Sequence, residues 1–431
     1  MSDAMAVNRA RLGPVAANER VALIDILRGF ALLGILVVNF WGSSGDAANR
    51  LDKVVSDVLD IAVSSSFYPL FSFLFGLGFA MQLLRARERG AGVVDLYLRR
   101  MLALFLIGAF HAVVIWDGDI LNVYAVLGLL LIPLHRLRDR WLWAIVAIPL
   151  VLGLWGPQVR AFTAGLSGAD AAEVTYLRNT EHGWRTFGLD NITQRYEADP
   201  TATRAEAFRS AVAMRWDEYG GDLRNSFSRN FFLNDVLAFF VMGLIVGRRR
   251  ILQEASRHKR ALAIAAAAGL TASVAGTLVT YVVEPENRVL DALGWYGNDY
   301  GTTVFYIAGL ALAVTSWPKV AAFLRPLGAV GQIGLTNYLI QSTVMTLIFT
   351  RYGMGLREPS TAMWVLINVT FFLAVQIPLS RWWIARFRFG PAEWVWRSMT
   401  YGERQPMRLR APAPVAAPVA APPPAIATGV R

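Results

Sequence analysis

The chain has 431 residues, of which 55% are hydrophobic and 17% charged, with a mean hydropathy of +0.41 and a formal net charge of +11. The apolar residues run in long blocks, which argues against an ordinary soluble domain and specifies an all-α, polytopic integral membrane protein. There is no cysteine, which excludes thiol catalysis, thiolate metal ligation and disulfides together. The basic residues gather between the apolar blocks, as the positive-inside rule requires, so the expected partner is the lipid bilayer and not nucleic acid.

A polar leader, residues 1–20, precedes a first apolar run that begins near Val21 and lacks a small-residue cleavage site, so it reads as a retained span. At 1.5 Å per residue, blocks long enough for a hydrocarbon core of about 30 Å lie near 21–41, 61–84, 97–117, 119–135, 141–160, 230–248, 260–283, 300–317, 328–350 and 362–384. They predict about ten transmembrane helices, five in an N-terminal bundle over 21–160 and five in a C-terminal bundle over 229–402. The one long connection, 161–228, is expected to be a partly helical extracytoplasmic cap. Residues 403–431 form the predicted cytoplasmic tail, and its Pro/Ala-rich part from 411 onward buries too little surface to order. Arg85, Arg87 and Arg89 follow the second span, Arg136, Arg138 and Arg140 the fourth, and Arg248, Arg249 and Arg250 the sixth, while acids such as Asp57, Asp117 and Glu284 follow odd-numbered spans. Both termini are therefore predicted to be cytoplasmic, in a bacterial inner (plasma) membrane.

Polar groups inside the apolar blocks are costly, about 2.5–3.5 kcal/mol for an ion at a helix centre, and point to function. In LIDILRGFALLGILVVNF, residues 23–40, Asp25 and Arg28 share one face and can pair. Arg28 either snorkels beside its neutralising partner or receives a phosphate or carboxylate from the cytoplasm. Asn39 ends the same run. His111, in LIGAFHAVVIWDGD, falls at a similar depth, and Asp119, Asn122 and Tyr124 begin the next span from the same turn. A carboxylate at Asp119 would fix the imidazole tautomer and raise its basicity for general-base work. In GLTNYLIQSTVM, Asn337 and Gln341 share a helix face, with Tyr338 and Ser342 on the adjacent one. A single intramembrane Asn or Gln is usually interhelical glue, but together these groups outline a polar cavity open to the outside. No second histidine or cysteine lies at ligand spacing, so no metal is expected. Ser72, Gly76 and Ala80 recur every four residues, the small-residue pattern of close helix packing. Gly390 and Pro391 in FGPAEWVWR break the last helix and begin a cytoplasmic clasp with Trp394 and Trp396 at the interface.

LIDILRGFALLGILVVN, FSFLFGLGFAM, RRMLALFLIGAFHAVVIWDGDILNVYAVLGLLL, GLTNYLIQS and FGPAEWVWR together resemble the YeiB-like bacterial membrane proteins, whose C-terminal half is domain of unknown function 418. The resemblance covers roughly residues 20–402. Its D-x-x-R-G pattern, matched by Asp25, Arg28 and Gly29, is also similar to that of transmembrane acyltransferases, including the heparan-alpha-glucosaminide N-acetyltransferase type. The resemblance implies transfer of an acyl group from cytoplasmic acyl-CoA to an extracytoplasmic envelope glycan or lipid, with acyl-CoA as co-substrate and no bound cofactor. That enzyme type places its catalytic histidine in the first connection, where residues 42–60 hold none, so His111 would take the role. On this reading Arg28, supported by Asp25, holds the donor, and His111, oriented by Asp119, is the base. Asn39, Asn122, Tyr124, Asn337 and Gln341 then line the acceptor path. The alternatives are a transporter or exporter of a small polar or anionic solute, using the same residues as binding groups, and a non-catalytic membrane partner.

The charge pattern makes a direct topological prediction. Reporter fusions placed after Arg404 and near Asn191 report opposite sides of the membrane, and a common side refutes the arrangement.

Overall fold

The computed structural model describes residues 20–39, 49–63, 66–90, 92–153, 202–228, 235–283, 288–356 and 360–409. Residues 1–19 of the predicted leader, residues 161–201 of the cap and the Pro/Ala-rich tail lie outside the described residues. Within them the chain is helical, and an isolated bridge between Phe387 and Arg408 is the extent of β pairing. A helix satisfies every interior N–H and C=O without water, which is why runs this apolar adopt it.

The N-terminal elements are α1 (Ala22–Asn39), α2 (Arg50–Ala62), α3 (Phe67–Glu88) and α4 (Val94–Phe110). The last continues as a π-helical turn, His111–Ile115, before α5 (Leu121–Leu129), α6 (Leu131–Leu134) and α7 (Asp139–Gly153). Next in order are α8 (Arg204–Ser228), α9 (Asp235–Arg248), α10 (Lys259–Leu278), α11 (Arg288–Ser316), α12 (Pro318–Gln332) and α13 (Gly334–Phe349). Last come α14 (Thr361–Phe371), a second π turn Phe372–Gln376, α15 (Ile377–Ile384) and α16 (Pro391–Tyr401). Local chemistry sets several starts: the Asn49 and Ser360 side chains cap α2 and α14, and proline opens α12 and α16.

Five stretches are long and apolar enough to cross a membrane: Ala22–Asn39, Arg50–Glu88, Val94–Ile115, Lys259–Val283 and Thr361–Ile384. The predicted fourth span is the shorter apolar stretch Leu121–Leu134, interrupted at Leu130 where α5 gives way to α6. On α4, Leu98, Leu102, Leu106 and Phe110 are exposed at four-residue intervals, an apolar stripe that suits lipid. The opposite face, with Tyr97, Met101, Leu104 and Gly108, is buried.

Glycine decides which helices meet closely. Across α1 and α12, a Cβ on Gly29 would lie 2.0 Å from the Leu327 carbonyl oxygen, and one on Gly331 would lie 2.0 Å from that of Asp25. Across α3 and α9, Gly76 faces the Phe240 carbonyl and Gly243 that of Phe73, with equivalent distances of 1.9 and 2.0 Å. The α10–α11 pair repeats the arrangement with Gly269, Gly276 and Gly301. The small-residue pattern read in α3 is therefore a packing seam at Gly76 and Ala80, the latter meeting Gly247. Ser72 departs from it, because its hydroxyl lies 2.7 Å from that of Tyr124. In the C-terminal clasp, Trp396 donates to the Arg100 carbonyl oxygen at 2.9 Å and so holds α16 on α4.

A side-chain atom at such a seam forces the helices apart, with an overpacking cost of about 1–3 kcal/mol. Gly76→Ala is expected to lower the melting temperature of the detergent-purified protein by several degrees. Gly78→Ala, whose new Cβ would find its nearest neighbour, an Arg28 nitrogen, at 3.8 Å, leaves it unchanged within error. Equal behaviour of the two variants refutes the seam.

Candidate functional site

His111 opens the π turn that ends α4, and the Trp116 amide donates to the His111 carbonyl oxygen at 2.8 Å, closing the wide turn. Such turns bulge one residue out of helical register and are frequent where a side chain must be aimed. The chain then reverses, and Asp119 stands just before α5. Its Oδ1 lies 2.9 Å from His111 Nδ1, and its Oδ2 accepts from the Asn122 backbone and side-chain nitrogens at 3.0 and 2.7 Å. Gly108, one helical turn before His111, leaves the space: a Cβ there would be 2.9 Å from Asp119 Oδ2.

The histidine and aspartate side chains are 0% and 1% exposed. Where an ionised carboxylate faces a neutral imidazole, the carboxylate can only accept, and the arrangement then puts the hydrogen on Nδ1 and the lone pair on Nε2. Nε2 is buried and has no hydrogen-bond partner among the described residues. Leaving such an acceptor unmade costs about 1–3 kcal/mol, and an orphan of this kind calls for an explanation. The Tyr338 ring of α13 lies 5.0 Å from the imidazole and the Trp116 ring 6.2 Å, the latter edge-on.

Two side chains of α8 secure this turn. Tyr219 donates to Asn122 Oδ1 at 3.2 Å, extending the chain from His111 through Asp119 and Asn122. Arg215 donates to the Val114 carbonyl oxygen at 3.1 Å and to the Tyr352 hydroxyl at 2.9 Å.

The other sequence-predicted residues divide. Tyr124 joins a neighbouring network, donating to the Tyr68 carbonyl oxygen at 3.1 Å, while the Tyr68 hydroxyl donates to Asp235, which also accepts from Tyr300 at 3.0 Å. Asn337 donates to the Val330 carbonyl oxygen and to Ser380 Oγ, both at 3.0 Å. Gln341 donates to the Leu32 carbonyl oxygen at 3.2 Å and to Gln376 Oε1 at 2.9 Å, and Gln376 returns a bond to the Asn337 carbonyl oxygen. These amides tie α1, α13 and α15 together, and their donors are spent on helix contacts. Asn39 is half-buried at the end of α1. Arg28 Nη1 lies 3.3 Å from Asp25 Oδ1, with the side chains 36% and 9% exposed. Among the described residues, no three His, Cys, Asp or Glu side chains converge as a metal site would need.

Residues 246–403 match the family model described as a protein of unknown function, DUF418. The uncharacterized protein YxaH of Bacillus subtilis (strain 168) is 31% identical over 416 residues, covering 92% of this chain and 98% of its own length. The chain belongs to the DUF418 family. An uncharacterized 39.9 kDa protein in the amylase 3′ region of Bacillus acidopullulyticus is 28% identical over 420 residues, 93% of this chain and 99% of the relative. The uncharacterized protein YeiB of Escherichia coli (strain K12) is 25% identical over 404 residues, with coverages of 89% and 96%. Similarity over such lengths extends well before residue 246, into the half that carries His111.

For this DUF418 protein, the sequence marks Asp235 as a polar group near the outer end of the sixth span, but not Tyr219, Arg215, Gln376 or the Tyr68 and Tyr300 hydroxyls that clamp it. The i,i+4 spacing of Arg215 and Tyr219 was a signal that they share a face. Nothing local says what that face meets.

The Asp25–Arg28 pair also proves less enclosed than its place in an apolar run implies. With both charges fully buried, removing one partner would cost about 3–5 kcal/mol. Arg28 is more than a third exposed, so screening reduces the coupling to about 1 kcal/mol or less. Asp25→Asn and Arg28→Gln are each expected to lower thermal stability, with the double variant losing less than the sum. Strict additivity in that cycle would mean the observed pair has no energetic consequence.

Proposed function

We propose that this protein is a ten-pass inner-membrane acyltransferase, with cytoplasmic termini, that moves an acyl group from cytoplasmic acyl-CoA to a hydroxyl of an extracytoplasmic envelope glycan or lipid. The observation that carries this reading is the buried Asp119–His111 pair with an unpartnered Nε2. An imidazole held in one tautomer by a carboxylate is built to take a proton at its other nitrogen.

In this mechanism the acceptor oxygen attacks the thioester carbonyl while Nε2 of His111 takes its proton. The new C–O bond forms, the C–S bond breaks, and the departing thiolate receives the proton from the imidazolium. Asp119 keeps Nδ1–H in place and stabilises the imidazolium; Asn122 and Tyr219 hold Asp119 in turn. Arg28, with Asp25 beside it, binds the donor end. Asn39 faces the acceptor path, Asn122 acts on it through Asp119, and Asn337, Gln341 and Tyr124 keep its walls in register.

The test uses purified protein in lipid nanodiscs with labelled acetyl-CoA and envelope extract. His111→Gln preserves much of the volume and hydrogen bonding, so it should fold and insert normally while turnover falls about 10²–10⁴-fold. Asp119→Asn should fall in the same direction by less. Lower stability with unchanged turnover per folded molecule in His111→Gln would make the residue a packing group and remove the base from the mechanism.

A further inference from the structure

We infer that Arg20, Arg28, Arg100 and Arg397 form one binding site for a phosphate-bearing anion, on the side of the protein where α1 begins. The inference rests on the acyl-CoA reading for the identity of the soluble ligand and on the side chains themselves for the site.

These arginines come from separate parts of the chain; Arg28 is paired with Asp25, and Arg20, Arg100 and Arg397 are held by neutral groups. Arg100 stacks on the Trp396 ring at 4.4 Å and donates to Gln82 Oε1 at 3.1 Å. Arg397 lies over the Phe389 ring at 4.7 Å, and its Nε is buried without a hydrogen-bond partner. Arg20 donates to Gln332 Oε1 at 2.9 Å. A Cβ on Gly78 would lie 3.8 Å from Arg28 Nη2, one turn of α3 before the Gln82 that holds Arg100, and Trp396, on which Arg100 stacks, directly precedes Arg397. Burial first, and then the Arg100 charge, push the Arg397 guanidinium down to about 10.

Two acids lie near. Asp25 serves Arg28. Glu393 offsets Arg397 only weakly, because its carboxylate is turned inward and accepts from the Leu335 amide at 2.6 Å and from the Thr336 amide and hydroxyl at 3.1 and 2.5 Å.

Four other arginines that the sequence places on this side are matched with acids: Arg250 with Glu88, Arg248 and Arg249 with Asp139, and Arg257 with Glu254. The positive-inside rule accounts for a surplus of basic residues but not for gathering Arg100 and Arg397, on aromatic and amide supports, beside Arg20 and Arg28. Like charges brought together repel, and a fold that holds them so is complete when an anion sits among them. Guanidinium forks match phosphate oxygens in pairs. A coenzyme A end, with its pyrophosphate and separate phosphate monoester, offers several such partners at once; an anionic lipid headgroup offers the same chemistry from the membrane.

The experiment measures binding of labelled coenzyme A to the full chain in nanodiscs of phosphatidylcholine, with inorganic pyrophosphate as competitor, and repeats it with phosphatidylglycerol included. Coenzyme A should bind, pyrophosphate should compete, and Arg100→Gln or Arg397→Gln should weaken affinity at least tenfold, while Arg250→Gln leaves it unchanged. If phosphatidylglycerol instead blocks coenzyme A and raises the melting temperature of the wild type but not of these variants, the same site stands with lipid phosphate as its source. No binding of either ligand, or equal binding by wild type and both variants, overturns the site. Should either glutamine variant fail to fold, Arg397→Lys and the pyrophosphate competition on wild type decide. His111→Gln separates the two proposals, since it should bind coenzyme A normally. Binding without acyl transfer in the wild type keeps the site and removes the enzyme, whereas transfer that survives in Arg100→Gln and Arg397→Gln removes the site and keeps the enzyme.

Discussion

Where no water separates helices and lipid is as apolar as leucine, two helices gain from meeting only if their backbones come close enough for dense dispersion contact. In this protein that condition is met at glycines: Gly29 and Gly331 between α1 and α12, Gly76 and Gly243 between α3 and α9, Gly269 and Gly301 between α10 and α11. The functional groups depend on the same device. Gly29 follows Arg28 directly, so the α1–α12 seam fixes the depth of the Asp25–Arg28 pair, and Gly108 opens the space that Asp119 and Asn122 fill beneath His111.

Once the helices are placed, their polar groups fall into two kinds. Asn337, Gln341, Gln376 and Ser380 bond one another and nearby carbonyls, and Tyr68, Asp235 and Tyr300 form a second closed set. Such networks specify which helices lie together and at what register. His111 Nε2 and Arg397 Nε are buried and unmatched among the described residues, as is Gln341 Oε1 on the edge of its network. Each costs free energy in the resting molecule, and the first two lie in settings with a ligand chemistry to explain them, a proton for the imidazole and a phosphate oxygen for the guanidinium.

The α8 helix connects these themes. It reaches the π turn through Arg215 and the Asp119 support through Tyr219, so the geometry of the histidine depends on a segment more than ninety residues away. A helix that caps the turn in this way can set how tightly the imidazole is held without touching it.

Much of this was legible in the residues alone wherever the relation is local. An i,i+3 spacing placed Asp25 beside Arg28, and a reversal of eight residues placed Asp119 beside His111. Helical character followed from uninterrupted apolar runs, because a backbone in hydrocarbon has no other way to satisfy itself. The destination of the amide donors was not legible: Asn337 and Gln341 share a face by period, but only packing decides whether that face meets a cavity or Val330, Leu32, Gln376 and Ser380. The same holds for Arg100 on Trp396 and Arg20 on Gln332, pairs about three hundred residues apart. Periodicity orients a side chain about its own helix axis, whereas its partner is set by how close the neighbouring backbones come, and that distance exists only in the tertiary structure.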